Sequence, residues 1–447
     1  MKLLKRTLMV VLLMIFLNYT LISTTVGMAG GTAIAVMIAG AVIYLLYAVF
    51  PGRISGDVTN STPVRLQILY GGCELILVSA VCLMAEIILY LVFWPGMTVG
   101  RALINAIICG ALLFALAAEG VIRLLVISKQ VKMAQKLLLL LMWWIPVLNM
   151  FMIWKVCRIA RMEYEVEVHR QEMNEVRRET QICHTRYPVL MVHGVFFRDW
   201  HYFNYWGRIP AELVRNGAVV YYGNQQSALP VRESARELKR QLLEIVRETG
   251  CEKVNIIAHS KGGLDSRYAI SCLEAAPYVA SLTTISTPHY GCRWVDEVLK
   301  KLPGRLVKWV AGKYNTLFRR LGDSEPDFYG AVYDLTESYS KRFNEEAKNQ
   351  DGILYQSVMS RMDSAKSSGF PLNLTYRIIN KIQCCRSDGL VPLESAVWGQ
   401  YLGHLKVDGK RGISHGDMID LNRENIRGFD VREFYIDLIK GLGERGL

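Results

Sequence analysis

The hydrophobic pattern divides the chain into two textures. Before about residue 155, long runs of Leu, Ile, Val, Met and Ala are interrupted by few charges, whereas beyond it short apolar runs alternate with stretches that repeat at helical spacing. A membrane-crossing helix needs about 20 mostly apolar residues. Five stretches qualify as candidates, at 8–26, 28–50, 66–93, 102–128 and 137–154, and they predict an all-α transmembrane domain over 1–154. The first run follows Lys2, Lys5 and Arg6 without a small-residue cleavage site before the second, so it is expected to stay as an uncleaved span.

From 155 to 186, seven basic and six acidic residues surround sparse apolar positions such as Met162, Val166 and Met173. That mixture predicts a solvated helical stalk, ended by Tyr187-Pro188 because the residue before proline avoids the helical region. Short, wholly apolar runs follow at 189–192, 219–222, 254–258 and 282–286, with an amphipathic stretch at 231–248 that places Leu238, Leu242, Ile245 and Val246 on one face. Buried strands alternating with helices predict an α/β domain over 187–447, built on a mostly parallel sheet covered on both faces.

Charge sharpens this division. The chain carries a formal net charge of +12, but residues 1–154 alone hold ten Lys/Arg against four Asp/Glu, which is half of the excess. Such a distribution fits the flanks of membrane helices and argues for a bilayer rather than nucleic acid as partner. Lys2, Lys5, Arg6, Arg53, Arg65, Lys129, Lys132 and Lys136 gather in loops on one side, while the opposite short loops carry only Arg101. With five spans the α/β domain is expected outside the cytoplasm. Lys155, Arg158 and Arg161 after the last run pull the other way, and a change of one helix reverses the side. Glu74, Glu86, Glu119 and Arg123 fall within or at the ends of apolar stretches, where an ionisable group is costly and a functional candidate. Glu119 and Arg123 stand four apart and are expected to neutralise each other. The ten cysteines show no metal-ligand spacing, and the vicinal Cys384 and Cys385 are expected to act as small hydrophobes.

The run VNIIA enters His259-Ser260-Lys261-Gly262-Gly263 and then a helical pattern, which puts Ser260 at a strand-to-helix corner, the context of a nucleophile elbow. A serine hydroxyl is a weak nucleophile. The corner lifts it off the sheet and points the free N–H groups of the next helix at the reacting oxygen. Upstream, the first strand ends in His193-Gly194-Val195-Phe196, so the N–H groups of Val195 and Lys261 form the expected oxyanion hole. Downstream, Asp388 in the Arg386-Ser387-Asp388-Gly389 loop follows a β-like stretch near 376–379, and His415 lies in Ser414-His415-Gly416-Asp417. Serine, acid and then histidine is the chain order this fold requires. His404 is the rival base, expected instead to be structural within a strand. Asp265 is expected to form a salt bridge in the elbow helix, and His259 and His289 to sit at strand ends beside the pocket.

The blocks YPVLMVHGVF, VNIIAHSKGG, TTISTPHYG, DLTESYSKRFN, SDGLVPLESAVWGQ and SHGDMIDL occur in the order seen in bacterial triacylglycerol lipases, and residues 187–425 resemble that family. The resemblance implies an α/β-hydrolase fold, hydrolysis of acylglycerols or similar lipid esters, and Ser260, Asp388 and His415 as triad. It also implies a structural calcium near the catalytic histidine, for which Asp417 matches one ligand and Asp363 is the candidate second, while the chemistry itself needs no cofactor. The corresponding lid is expected at 293–343, where Val295, Leu299, Leu306, Trp309 and Leu317 are interspersed with Lys300, Lys301, Arg305, Lys308, Arg319 and Arg320. Ala258 at the first elbow position and the N-terminal spans depart from the family.

The expected activity is therefore membrane-anchored ester hydrolysis at a bacterial cell membrane. Thioester cleavage or acyl transfer uses the same fold, and a membrane sensor or transporter with a ligand-binding hydrolase-like domain is the reading from another class. Oligomeric state has no signature in the sequence.

Overall fold

A computed structural model describes residues 2–28, 30–93, 98–195, 204–226, 228–409 and 411–447. The chain forms two compact units, Met1–Met173 and Asn174–Leu447. In the first, the apolar runs fold as α1 (Lys2–Leu17), α2 (Tyr19–Val26), α3 (Gly30–Val49), the short α4 (Pro51–Ser55), α5 (Val64–Phe93), α6 (Val99–Ile127), α7 (Met133–Leu141) and α8 (Pro146–Arg177). α3, α5 and α6 are long and apolar enough to cross a membrane, and α1 with α2, bent by 68° at Asn18, makes a fourth candidate. Exposed Leu91, Ile107 and Phe114 on α5 and α6 suit a lipid surround. The fifth predicted run, 137–154, is not among these candidates. It breaks between Leu141 and Pro146, and its second half continues without interruption into the charged stretch. Hydrophobicity alone hid a break that the proline at the start of α8 marks.

The ionisable groups within the apolar runs have polar partners. Arg6 bonds Glu74 at 2.7 Å and Asp57 at 2.6 Å, Glu119 bonds Arg123, and Asn18 at the bend donates to Glu86 at 2.6 Å. Glu163 on α8 accepts from Arg65 at 2.6 Å and from Ser128 Oγ at 2.7 Å. It thereby ties α8 to the start of α5 and to the end of α6.

The second unit is an α/β sandwich. Its strands are β1 (Val189–Val192), β2 (Val220–Tyr222), β3 (Val254–His259), β4 (Val279–Ile285), β5 (Leu354–Ser360) and β6 (Gln400–Leu405), ordered β2-β1-β3-β4-β5-β6 with every pairing parallel. Side chains alternate across the sheet. Val189, Met191 and Ile257 pack on one face with α9 (Ile209–Arg215) and the C-terminal α17, and Leu190, Val192 and Ile256 on the other with α10 (Val231–Thr249) and α11 (Lys261–Cys272). Four helices intervene between β4 and β5, namely α12 (Arg293–Lys301), α13 (Gly304–Arg320), α14 (Phe328–Tyr333) and α15 (Glu337–Glu346). α16 (Leu372–Gln383) lies between β5 and β6, and α17 spans Val431–Gly443.

The stretch at 376–379 is thus helical, not β-like. Residues 372, 375, 376, 379 and 382 turn inward while 374, 377 and 380 face solvent, a period of 3.6 that outweighs the β propensity of Tyr376, Ile378 and Ile379. The strand before Asp388 is β5 instead. All ten cysteines are free, and Cys384 is exposed rather than buried.

Candidate active site

Ser260 stands between β3 and α11 with φ 55° and ψ −130°, a positive-φ conformation that costs a non-glycine residue free energy and is tolerated at functional corners. Its neighbours hold it there. The Ser260 N–H donates to Ile285 O of β4 at 2.9 Å, and its carbonyl accepts from Thr287 Oγ1 at 2.8 Å and from the Gly263 N–H at 3.1 Å. The corner leaves no room for side chains beside it. A Cβ at Gly262 would meet His193 O at 2.4 Å, and one at Gly194 would meet Ser260 Cβ at 2.9 Å. The β1 turn through Gly194 therefore abuts the serine, with Val195 next along it. Phe196 lies outside the described residues.

Asp388 and His415 are brought together from the loops that follow β5 and β6. His415 Nδ1 lies 2.7 Å from Asp388 Oδ2, and the His415 N–H donates to Asp388 O at 2.9 Å. Asp388 is wholly buried, and its Oδ1 accepts from the N–H groups of Leu390 at 3.0 Å and Val391 at 2.8 Å. One carboxylate oxygen is thus anchored by backbone while the other faces the imidazole. That ring packs on His259, the residue before the serine, with centroids 4.4 Å apart. Burial, and then the closeness of the His415 imidazole, push the His259 pKa well below its ordinary 6.5.

The remaining candidates separate cleanly. His404 sits within β6 opposite Met359, whereas His415 lies in the loop beyond that strand. The His193 ring lies 2.8 Å from the carbonyls of Gly194 and Gln225 and is structural. Asp265 makes the expected buried salt bridge with Lys261 Nζ at 2.6 Å, Ser234 Oγ joins it at 2.9 Å, and burial raises the Asp265 pKa to about 7. This bridge fixes the side chain of the residue whose N–H was expected to serve the oxyanion. Tyr205 escaped the sequence reading. Its hydroxyl accepts the Gly194 N–H at 3.0 Å and contacts His259 Nδ1 at 2.7 Å, joining the two turns around the serine.

The expected calcium does not fit these residues. Both Asp417 oxygens accept from Arg411, at 3.0 and 3.2 Å, and Asp363 Oδ1 accepts from Arg361 at 2.6 Å. A guanidinium already supplies the positive charge at each carboxylate. Among the described residues no group of three or more His, Cys, Asp or Glu side chains could hold a metal ion.

Comparison with known proteins finds relatives of the second unit. Residues 189–368 match the family described as "Putative serine esterase (DUF676)". A triacylglycerol lipase of Pseudarthrobacter phenanthrenivorans is 36% identical over 172 residues, covering 36% of this chain and 53% of the relative. One of Burkholderia plantarii is also 36% identical over 172 residues, covering 36% and 48%. The chain therefore spans about half the length of these curated relatives. A Bacillus licheniformis lipase in its mature form matches 56% of this chain and 91% of its own at 22% identity, with a TM-score of 0.42. The second unit, a parallel sheet that carries a serine corner and an aspartate–histidine pair at its C-terminal edge, has an α/β-hydrolase fold, matches the putative serine esterase family over 189–368 and is similar in sequence to triacylglycerol lipases over part of their length.

Proposed function

We propose that the chain is a membrane-anchored serine hydrolase that cleaves carboxylic esters of lipids. The observation that carries this is the Asp388–His415 pair at 2.7 Å, its imidazole resting on the ring that immediately precedes a strained Ser260. In the proposed reaction His415 takes the Ser260 proton as Oγ attacks the ester carbonyl, and the resulting alkoxide accepts from the N–H groups of Val195 and Lys261. Collapse expels the alcohol, which takes the proton from His415. Water, deprotonated by the same imidazole, then attacks the acyl-serine and releases the acid. Asp388 fixes the tautomer and supports the positive charge on His415.

The membrane side follows from charge and from Glu163. Arg53 before α5 and Arg65 in its first turn, and Lys129 and Lys132 after α6, mark the cytoplasmic ends of those two helices. Glu163 bonds both ends, so α8 leaves the bilayer on that same face. Counting four spans, without the run that breaks at 142–145, supports a catalytic domain on the side of those basic loops. We therefore place that domain in the cytoplasm, where its six unpaired cysteines are at home.

The test uses a membrane-impermeant fluorophosphonate on wild type and Ser260→Ala. Wild type should label only after lysis, and Ser260→Ala not at all. Labelling that survives in Ser260→Ala refutes the nucleophile, and labelling of intact cells refutes the side.

A further inference from the structure

We propose that Arg411 is the built-in cation of the histidine loop, a positioning residue that holds His415 in register and makes the fold independent of calcium. The inference rests on the hydrolase reading only where it concerns His415; the claim about the cation stands on the loop itself.

Four oxygen contacts surround the Arg411 guanidinium. Nη1 donates to Asp417 Oδ2 at 3.0 Å and to Gly412 O at 3.2 Å, and Nη2 donates to Asp417 Oδ1 at 3.2 Å and to Glu424 Oε2 at 3.3 Å. Two carboxylates and a carbonyl converging on one point are the donors a hard divalent cation selects. Here the planar guanidinium takes them, using its fork to grip Asp417 through both oxygens.

The grip is transmitted to the imidazole. Asp417 Oδ2 accepts from both the Ser414 N–H and Ser414 Oγ, each at 2.8 Å, which closes the chain around residue 415. The His415 N–H then bonds Asp388 O. Asp417 is buried, so the loss of Arg411 would leave a desolvated carboxylate at the centre of this turn without its counter-charge. The turn is also held by the Ile413 N–H to Arg361 O at 2.7 Å, by the buried Ile413 and Met418 side chains and by the Tyr435 hydroxyl on Met418 O at 3.0 Å. Arg411 adds the charge and the fork that orient Asp417 within the Ser414–Asp417 turn, and small displacements of a base relative to its nucleophile cost on the order of tenfold to a hundredfold in rate.

The experiment uses full-length protein in detergent and two readouts, thermal unfolding of the hydrolase unit and the rate of fluorophosphonate labelling at Ser260. Wild type should show the same Tm and labelling rate in EDTA and in millimolar CaCl2, whereas a bound calcium ion would shift Tm by about 5 °C. Arg411→Gln should lower Tm and slow the maximal labelling rate at least tenfold, with the reagent concentration for half-maximal rate unchanged. Arg411→Lys, which keeps the charge without the fork, should recover part of both. A wild type stabilised by calcium or weakened by EDTA overturns the proposal, and so does an Arg411→Gln protein that unfolds and labels like wild type. If Arg411→Gln fails to fold, the wild-type and Arg411→Lys measurements still decide. Absence of labelling in wild type would instead count against the hydrolase reading, with the Tm comparison left to judge the cation.

Discussion

Tyr205 and His259 share a hydrogen bond of 2.7 Å, which brings the phenol against the ring that precedes the Ser260 corner. The same phenolic oxygen takes the Gly194 N–H, so one side chain spans from the β1 turn to the serine corner. Tyr205→Phe keeps the ring packing on Trp206 and removes only the hydroxyl. It leaves a buried N–H and a buried imidazole nitrogen without this partner, at a cost of about 1–3 kcal/mol. We expect kcat on a short soluble ester to fall about tenfold with KM nearly constant. A wild-type kcat in this variant would show that Gly194 and His259 hold their places unaided.

Asp388 tests the orientation of the base. Asparagine fits the same volume and keeps an acceptor for the Leu390 and Val391 N–H groups, but it presents an NH2 group to His415 Nδ1. The imidazole is then held in the wrong tautomer, and kcat should drop on the order of 10⁴-fold while Tm moves little. A loss below tenfold would mean that another group orients His415.

His289 gives a pH dependence of known sign. It is buried, 2.9 Å from Thr284 Oγ1 and stacked on Trp398, and burial followed by the charge of Arg267 pushes its pKa well below 6.5. A depressed folded pKa contributes stability that is present above the unfolded value and is lost as pH falls through and below about 6.5. Burial raises Asp265 to about 7 and Asp334 to about 6, and these carboxylates act with the opposite sign. The clean measurement is therefore the difference between wild type and His289→Gln. Their stability gap should narrow by about 1.4 kcal/mol for each pH unit below about 6.5. A gap constant between about pH 7.5 and 5.5 would contradict a neutral, buried His289.

Much of the catalytic half was legible because local pattern and tertiary need coincide there. β1 needed only an apolar run, and the serine corner announced itself through two glycines that close packing against His193 O and Thr287 makes obligatory. The Asp388–His415 pair was reachable through chain order. What failed were features set by contacts distant in sequence. α16 was misjudged because Tyr376, Ile378 and Ile379 are strand formers whose inward face shows only at helical period. Hydrophobicity could not reveal that the run at 137–154 breaks. The aspartates at 363 and 417 were calcium candidates through the resemblance to bacterial lipases, and a sequence pattern does not show that Arg361 and Arg411 answer them in the fold. Tyr205 carries no motif at all.

The helices between β4 and β5 give the last prediction. α13 holds Arg305, Lys308, Lys313, Arg319 and Arg320 without one acidic residue, and it exposes Trp309 at 62%, Leu317 at 47% and Leu306 at 42% of their surfaces. Apolar and basic groups displayed together suit the surface of an anionic bilayer, where each basic residue contributes about 1 kcal/mol. Neutralising three of them would lower surface affinity on the order of a hundredfold for a free domain. The proposed membrane anchor would keep the local lipid concentration high and reduce the effect. In proteoliposomes, wild type should therefore hydrolyse a lipid ester about tenfold faster in anionic than in neutral bilayers at low salt, with the difference shrinking as salt screens it. Replacing Arg305, Lys308 and Lys313 by Gln should abolish that difference and leave hydrolysis of a short soluble ester unchanged. Trp309→Ala should slow hydrolysis in both bilayers, because it removes apolar insertion and not charge. If the triple variant loses activity equally on bilayer and soluble ester, α13 serves as a structural cap and not as a docking surface.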